Sequence, residues 1–199
     1  MNVYDFDHTI YHGDSSFDFS CFYLIRHPGL LLFLPVQLFA VAGIKLGLFS
    51  VKRGKELFFS FLKMRPAREN DIMRFWQTHG RKMTSWYSEH QRPDDLIISA
   101  SPEFLLRPFV EDILKKRVIA TEVAVDSGKI HGENCKGNEK VRLFRERYPS
   151  GSIDCFYSDS LSDAYLARIA TRAFLVRNRS TRKTELRDWP RENKENPCR

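Results

Sequence analysis

Residues 2–9 read Asn2-Val3-Tyr4-Asp5-Phe6-Asp7-His8-Thr9, and this stretch decides how the rest is read. Residues 2–6 have the composition of a short first strand. Two carboxylates one residue apart then stand at its exit. An aspartate-based phosphoryl-transfer site needs that pattern, because one carboxylate can attack phosphorus while the other handles a proton. Alone, Asp5 could equally be a turn residue, so the weight falls on partners further along.

Beyond this start the periodicity predicts helices over 15–27, 51–64 and 68–90, with Ser15 or Ser16 as the first N-cap and a break at Pro28-Gly29. Leu96-Ile97-Ile98 predicts a buried strand. Pro102 opens a helix, where its missing N–H costs nothing. Residues 118–125 and 129–130 read as strands around an Asp126-Ser127-Gly128 turn, 137–148 and 162–170 as helices, and 153–157 and 173–176 as strands. Alternating strands and helices imply an α/β fold, a Rossmann-like parallel sheet core. Only helices are predicted over residues 11–90, which read as a helical cap inserted after strand one. The core is then 1–10 and 91–178, and 179–199 is a charged tail.

Ligands of open parallel sheets gather at the carboxyl ends of the strands. Asp5 and Asp7 follow the first strand, Ser99 and Ser101 follow 96–98, Lys136 opens a helix, and Asp159 and Asp163 follow 153–157. Each has a plainer reading: a serine there is commonly a helix cap, a lone lysine a solvated one, and D-x-x-x-D two polar residues on one helical turn. Their joint occurrence, each after its own strand, carries the argument.

This set resembles the haloacid dehalogenase-like hydrolases. Asp5-x-Asp7-x-Thr9 is similar to their first motif, Ser99 to the second, Lys136 to the third and Asp159-x-x-x-Asp163 to the fourth. Asn134-Cys135-Lys136-Gly137 resembles the phosphoserine phosphatase-like branch. His12-Gly13-Asp14-Ser15, Tyr157-Ser158-Asp159-Ser160 and an apolar insertion resemble the bacterial C-type phosphatidylglycerophosphate phosphatases within it.

The resemblance implies a phosphomonoester hydrolase with Asp5 as nucleophile, Asp7 as general acid and base, and Lys136 offsetting charge. Asp7 implies phosphate esters, because the dehalogenases lack this carboxylate. It further implies that Ser99 and Ala100 bind phosphate and that Mg²⁺ is held by Asp5, the Asp7 carbonyl and Asp159. Thr9 and Asp163 would be supporting residues, Asp163 orienting Lys136 or a metal-bound water. Ser101 is expected to cap a helix. Asp14 stands where phosphoserine phosphatases carry a glutamate that grips the substrate amine, which weakens phosphoserine as the substrate.

Composition adds bounds. With 199 residues and 42% hydrophobic content, the chain fits one domain with an insertion. The net charge of +7 suits a phosphorylated or anionic partner, or simple solubility. Aromatics are scarce in the basic tail, so nucleic acid is not expected as a partner. Cys21, Cys135, Cys155 and Cys198 lack metal-site spacing and predict free thiols in a reducing compartment. A strand at the very start predicts no signal peptide, hence a cytoplasmic protein.

Residues 30–49 are apolar and long enough to span a bilayer. A single crossing would put Asp5 and Ser99 on opposite sides of the membrane, and Arg26, Lys52, Arg53 and Lys55 flank both ends with positive charge. The expectation is peripheral contact of residues 30–62 with the inner face of a membrane. The alternatives are a buried cap helix or a homodimer contact. The substrate is accordingly a lipid phosphate or a soluble phosphorylated metabolite; a non-enzymatic basic binding protein is the alternative of another class.

Overall fold

Val3 and Tyr4 alone make the first strand, β1 (Val3–Tyr4), and it is paired on both sides. Val3 registers with Leu96 of β2 (Leu96–Pro102) and with Phe156 of β4 (Ile153–Ser158), both parallel. The computed structural model describes residues 1–190. Its sheet has the order β3-β2-β1-β4-β5-β6, with β3 Arg117–Thr121, β5 Ala170–Ser180 and β6 Lys183–Asp188. The strands β1 to β5 are mutually parallel and β6 pairs antiparallel to β5. This is the α/β, Rossmann-like class that the strand–helix alternation predicts.

Successive side chains on a strand point to opposite faces, and both faces of a parallel sheet are covered. Val3, Leu96 and Ile98 pack with Phe144 of α7 (Asn138–Arg147) and Leu166 of α8 (Ala164–Ile169). Tyr4 and Ile97 face the other way. They join Leu105 of α6 (Glu103–Arg107) and the aromatic residues of the inserted helices.

Those helices are α1 (Ser15–Arg26), α2 (Leu34–Lys45), α3 (Val51–Phe58), α4 (Glu69–His79) and α5 (Ser85–His90). Phe19 of α1 meets Phe75 of α4, Phe75 meets Trp76, and Trp76 stacks on Phe109 behind the sheet. The Trp76 indole N–H donates to the Leu105 carbonyl at 2.7 Å. The α1–α4 part of the insertion thus shares one core with the sheet. By contrast α2 is held along a narrow line through buried Gln37, Ala40 and Gly43, and its apolar outer face is exposed.

Several elements differ from expectation. The predicted helix 68–90 is broken, because Met83 leaves helical geometry to bridge Tyr11. The predicted helix 51–64 ends at Phe58 and continues as a 3₁₀ turn, Ser60–Lys63. The apolar run is a 3₁₀ segment, Pro28–Phe33, followed by α2, with Pro35 in the first turn of α2. Pro28–Lys45 is the one helical stretch among the described residues that is long and apolar enough to cross a membrane.

The tail expectation needs the largest correction. Strand β5 runs on to Ser180, and residues 183–188 form β6, so residues 179–188 belong to the sheet. The remainder of that predicted tail, with Cys198, lies outside the described residues. Cys21, Cys135 and Cys155 are free thiols, the last two buried.

Candidate active site

The chain leaves β1 in a tight turn that aims both carboxylates at the same cleft. The Asp5 N–H donates to the Tyr157 carbonyl of β4 at 2.8 Å, extending the ladder by one residue. The N–H groups of Ile10 and Tyr11 both converge on the Phe6 carbonyl at 3.0 Å, and His8 takes a left-handed φ of 57° to close the turn. Two other residues pin this turn. Thr9, fully buried, accepts from the Asp159 N–H at 3.0 Å, and Asn178 of β5 donates to the His8 and Thr9 carbonyls at 2.8 and 2.7 Å. Strand order reverses about β1, and the cleft lies at the carboxyl ends there, where α/β sheets bind ligands.

The cleft holds about 450 Å³ and is lined by Asp5, Asp7, Asp14, Ser99, Ala100, Lys136 and Asp159, among others. The sequence-expected residues are therefore neighbours in space. Their roles are not all those expected.

The lysine beside Asp5 is Lys140, not Lys136. The Lys140 ammonium donates to Asp5 Oδ1 and to Asp163 Oδ2, each at 2.7 Å, and its side chain is nearly inaccessible. Gly137 explains the shift. With a φ of 60° it starts α7 afresh, so the inward face of the helix is set by Lys140 and Phe144, while Lys136 stays before the helix and exposed at the cleft wall. Asp163, expected to orient Lys136 or a water, instead orients Lys140, and it also accepts from Ser158 Oγ at 2.9 Å. A lysine in register with Phe144 one turn on was the available signal.

Ser101 is likewise not the helix cap. Pro102 precedes α6, and Ser101 Oγ donates to Asp7 Oδ2 and approaches Ser16 Oγ at 2.9 Å. The other Asp7 oxygen accepts from the Ser15 N–H at 2.6 Å. Ser99 Oγ accepts from the Ser101 N–H at 3.0 Å, which leaves its own proton free to donate into the cleft. Asp14 caps α1 by accepting from the Phe17 N–H at 2.9 Å and stands at the cleft mouth.

Lys55, read from sequence only as a charge flanking the apolar run, instead reaches into the cleft from α3. Its ammonium donates to the Ala100 carbonyl and to Asn134 Oδ1, both at 2.8 Å. Its position among Leu57, Phe58 and Lys52 reads as an ordinary amphipathic helix, so nothing local marks it.

Burial sets the electrostatics. It lowers the Lys55 pKa to about 8, against the pull of Asp14 and Asp7. Burial, then the nearby Asp14, pushes Asp7 up to about 7, while the Ser101 and Ser15 bonds oppose the rise. Asp159 is raised to about 6 by burial and then by Asp5. Burial raises the Asp5 carboxyl and works against charge on Lys140, yet Asp5 and Asp163 together hold Lys140 firmly protonated.

No cluster of three or more His, Cys, Asp or Glu side chains forms a metal cage among the described residues. The donor set on offer is two carboxylates, Asp5 and Asp159, with a backbone carbonyl at Asp7. A buried carboxylate at Asp5 that disfavours charge on the half-buried Asp159 fits a hard cation between the two. So few protein ligands suit an ion that retains water, as Mg²⁺ does.

Residues 3–168 match the family described as haloacid dehalogenase-like hydrolase. No curated protein sequence matches the chain. Among solved structures, a protein of unknown function from Bordetella pertussis Tohama I is 18% identical with a TM-score of 0.70, over 87% of each chain. A phosphoserine phosphohydrolase-like protein from Francisella tularensis is 16% identical with a TM-score of 0.57, over 87% of this chain and 86% of its own. A substrate-bound phosphoserine phosphatase is 12% identical with a TM-score of 0.59, over 86% and 82%. At these identities the likeness is one of fold.

Proposed function

Because the chain belongs to the haloacid dehalogenase-like hydrolase family, we propose that it hydrolyses phosphate monoesters through an aspartyl-phosphate on Asp5. The observation that carries this reading is the Lys140 bridge: a buried ammonium fixed on Asp5 Oδ1, with the Asp7 carboxyl two residues on lining the same cleft.

In the first step an Asp5 oxygen attacks phosphorus and the bond from phosphorus to the ester oxygen breaks. The leaving oxygen takes the proton of Asp7. In the second step Asp7, now ionised, accepts a proton from water as that water attacks the phosphorus, and inorganic phosphate and free Asp5 are regenerated. Ser99 Oγ–H and the Ala100 N–H are the donors proposed for the phosphoryl oxygens. Lys140 compensates the charge gathered on Asp5 and the phosphoryl group. Asp5, Asp159 and the Asp7 carbonyl would hold Mg²⁺, which when bound supplies positive charge that lets an anionic ester approach an anionic nucleophile. Measured phosphate release by the wild type and by Asp5→Asn tests the reading, which requires activity in the first and its loss in the second.

A lipid phosphate is the substrate class we favour over a soluble metabolite. The 3₁₀ segment, α2 and the residue that ends it expose Leu32 (78%), Leu38 (63%), Phe39 (57%) and Leu46 (73%) to solvent. Exposed apolar side chains of this kind beside Lys45, Lys52 and Arg53 suit an anionic bilayer. In this reading the enzyme is peripheral at the cytoplasmic face. Phosphatidylglycerophosphate has the required chemistry, a phosphomonoester on a two-chain lipid. Flotation with vesicles containing anionic lipid tests the contact; a protein that stays in the soluble fraction and is dimeric would assign the face to a second copy instead.

A further inference from the structure

An apolar groove opens beside the catalytic cleft and shares three wall residues with it. Phe17, Val41 and Phe58 line both. From them the groove runs between α1 and α2, walled by Leu24, Leu31, Leu34 and Leu38, and encloses about 230 Å³.

The amide donor in its wall is already spent. Gln37 Nε2 donates to Ser20 Oγ at 2.6 Å and to the Phe58 carbonyl at 3.1 Å. A slot walled by carbon, whose amide is bonded to its own serine and backbone, offers water little. Its outer end, at Ile25 and Leu38, opens onto the exposed apolar face of α2. A solvent-filled groove of this kind is an unfavourable way to leave so much apolar surface.

We infer that this groove is an acyl-chain subsite: it takes the hydrocarbon chain of a substrate whose phosphomonoester lies on Asp5. Adjacency points to the occupant. Phe17, Val41 and Phe58 form the wall common to cleft and groove, so a chain passing from one to the other there meets only carbon. The inference rests on the phosphatase reading for its chemistry, but the groove can be tested separately.

The first measurement is the hydrolysis of acyl glycerol phosphates from acetyl to octanoyl, kept below their micelle concentrations, with unacylated glycerol phosphate as reference. Each methylene that enters the groove should raise kcat/KM roughly two- to fourfold, from the transfer free energy of a CH₂, chiefly through KM. In Cys21→Trp, which fills the groove, and Leu38→Asp, which charges it, this slope should flatten when each variant is referred to its own rate on glycerol phosphate. Equal kcat/KM across the wild-type series overturns the subsite and leaves the phosphatase reading standing.

The second measurement needs no variant. Cys21 is an exposed free thiol on the groove wall. Its alkylation, followed at that peptide by mass spectrometry, should slow several-fold with octanoyl glycerol phosphate and not with glycerol phosphate. Protection without any phosphate release keeps the groove and defeats the phosphatase reading; no protection defeats the groove.

Discussion

The Lys140 ammonium lies 2.7 Å from Asp5 Oδ1, a bond between residues 135 apart in sequence that ties the start of α7 to the exit of β1. With Asp163 on its other side, Lys140 is the only side chain among the described residues that bridges Asp5 to a second carboxylate. Lys140→Met leaves two buried carboxylates without their cation. We predict a loss of about 3–5 kcal/mol of stability in urea unfolding and a fall in phosphate release by a factor of about 10² to 10³. Lys136→Met should cost less than about tenfold, as an exposed charge at the wall does. The reverse ranking would restore Lys136 to the role expected from sequence.

Ser101→Ala removes the hydroxyl that donates to Asp7 Oδ2. That bond favours the carboxylate, so its loss raises the Asp7 pKa above its present value of about 7. The limb of the pH–rate profile assigned to Asp7 should move to higher pH, with the nucleophile untouched. An unmoved profile would show that Asp7 does not govern that limb.

How far the sequence carried the site is clearest at these two residues. The Asp5-Phe6-Asp7 pair, the strand-end serines and Asp159 are local patterns, and alternation alone gives the sheet on which they meet. Lys140 was passed over because Lys136 fitted the local motif, whereas the positive φ of Gly137 leaves Lys136 outside α7 and turns Lys140, in register with Phe144, inward. Lys55 and Asn178 reach the site from a cap helix and from β5, and no local pattern signals such a long-range contact. The β6 strand was read as tail because Lys183-Thr184-Glu185-Leu186-Arg187-Asp188 is mostly charged, a composition that also suits an exposed edge strand.

Gly54 of α3 lies against Ile44 of α2, and a Cβ there would collide with the Ile44 side chain. Gly54→Ala should therefore destabilise the cap by about 1–3 kcal/mol. The double variant with Ile44→Ala should recover part of that loss, a coupling expected only of residues in contact. Additive losses in thermal unfolding would mean that the two helices do not pack this way.

Asp95 is wholly buried, accepts from the Arg92 N–H at 2.7 Å through one oxygen, and has no hydrogen-bond partner for the other among the described residues. Burial pushes its pKa up to about 6. A carboxyl raised on folding contributes stability that is complete below its unfolded pKa of about 3.9 and is lost as pH rises through about 6. Asp95→Asn keeps an acceptor for Arg92 without the ionisation. It should be more stable than wild type by about 1–2 kcal/mol near pH 7 and indistinguishable from it below about pH 4. A constant difference between the two pH values would contradict this origin.

The most direct measurement is acid quenching during turnover of a phosphomonoester with Mg²⁺ present, followed by peptide mass spectrometry. The account predicts one phosphoryl group on the peptide carrying Asp5, absent from Asp5→Asn. Steady phosphate release with that peptide never modified, or release undiminished in Asp5→Asn, would contradict it.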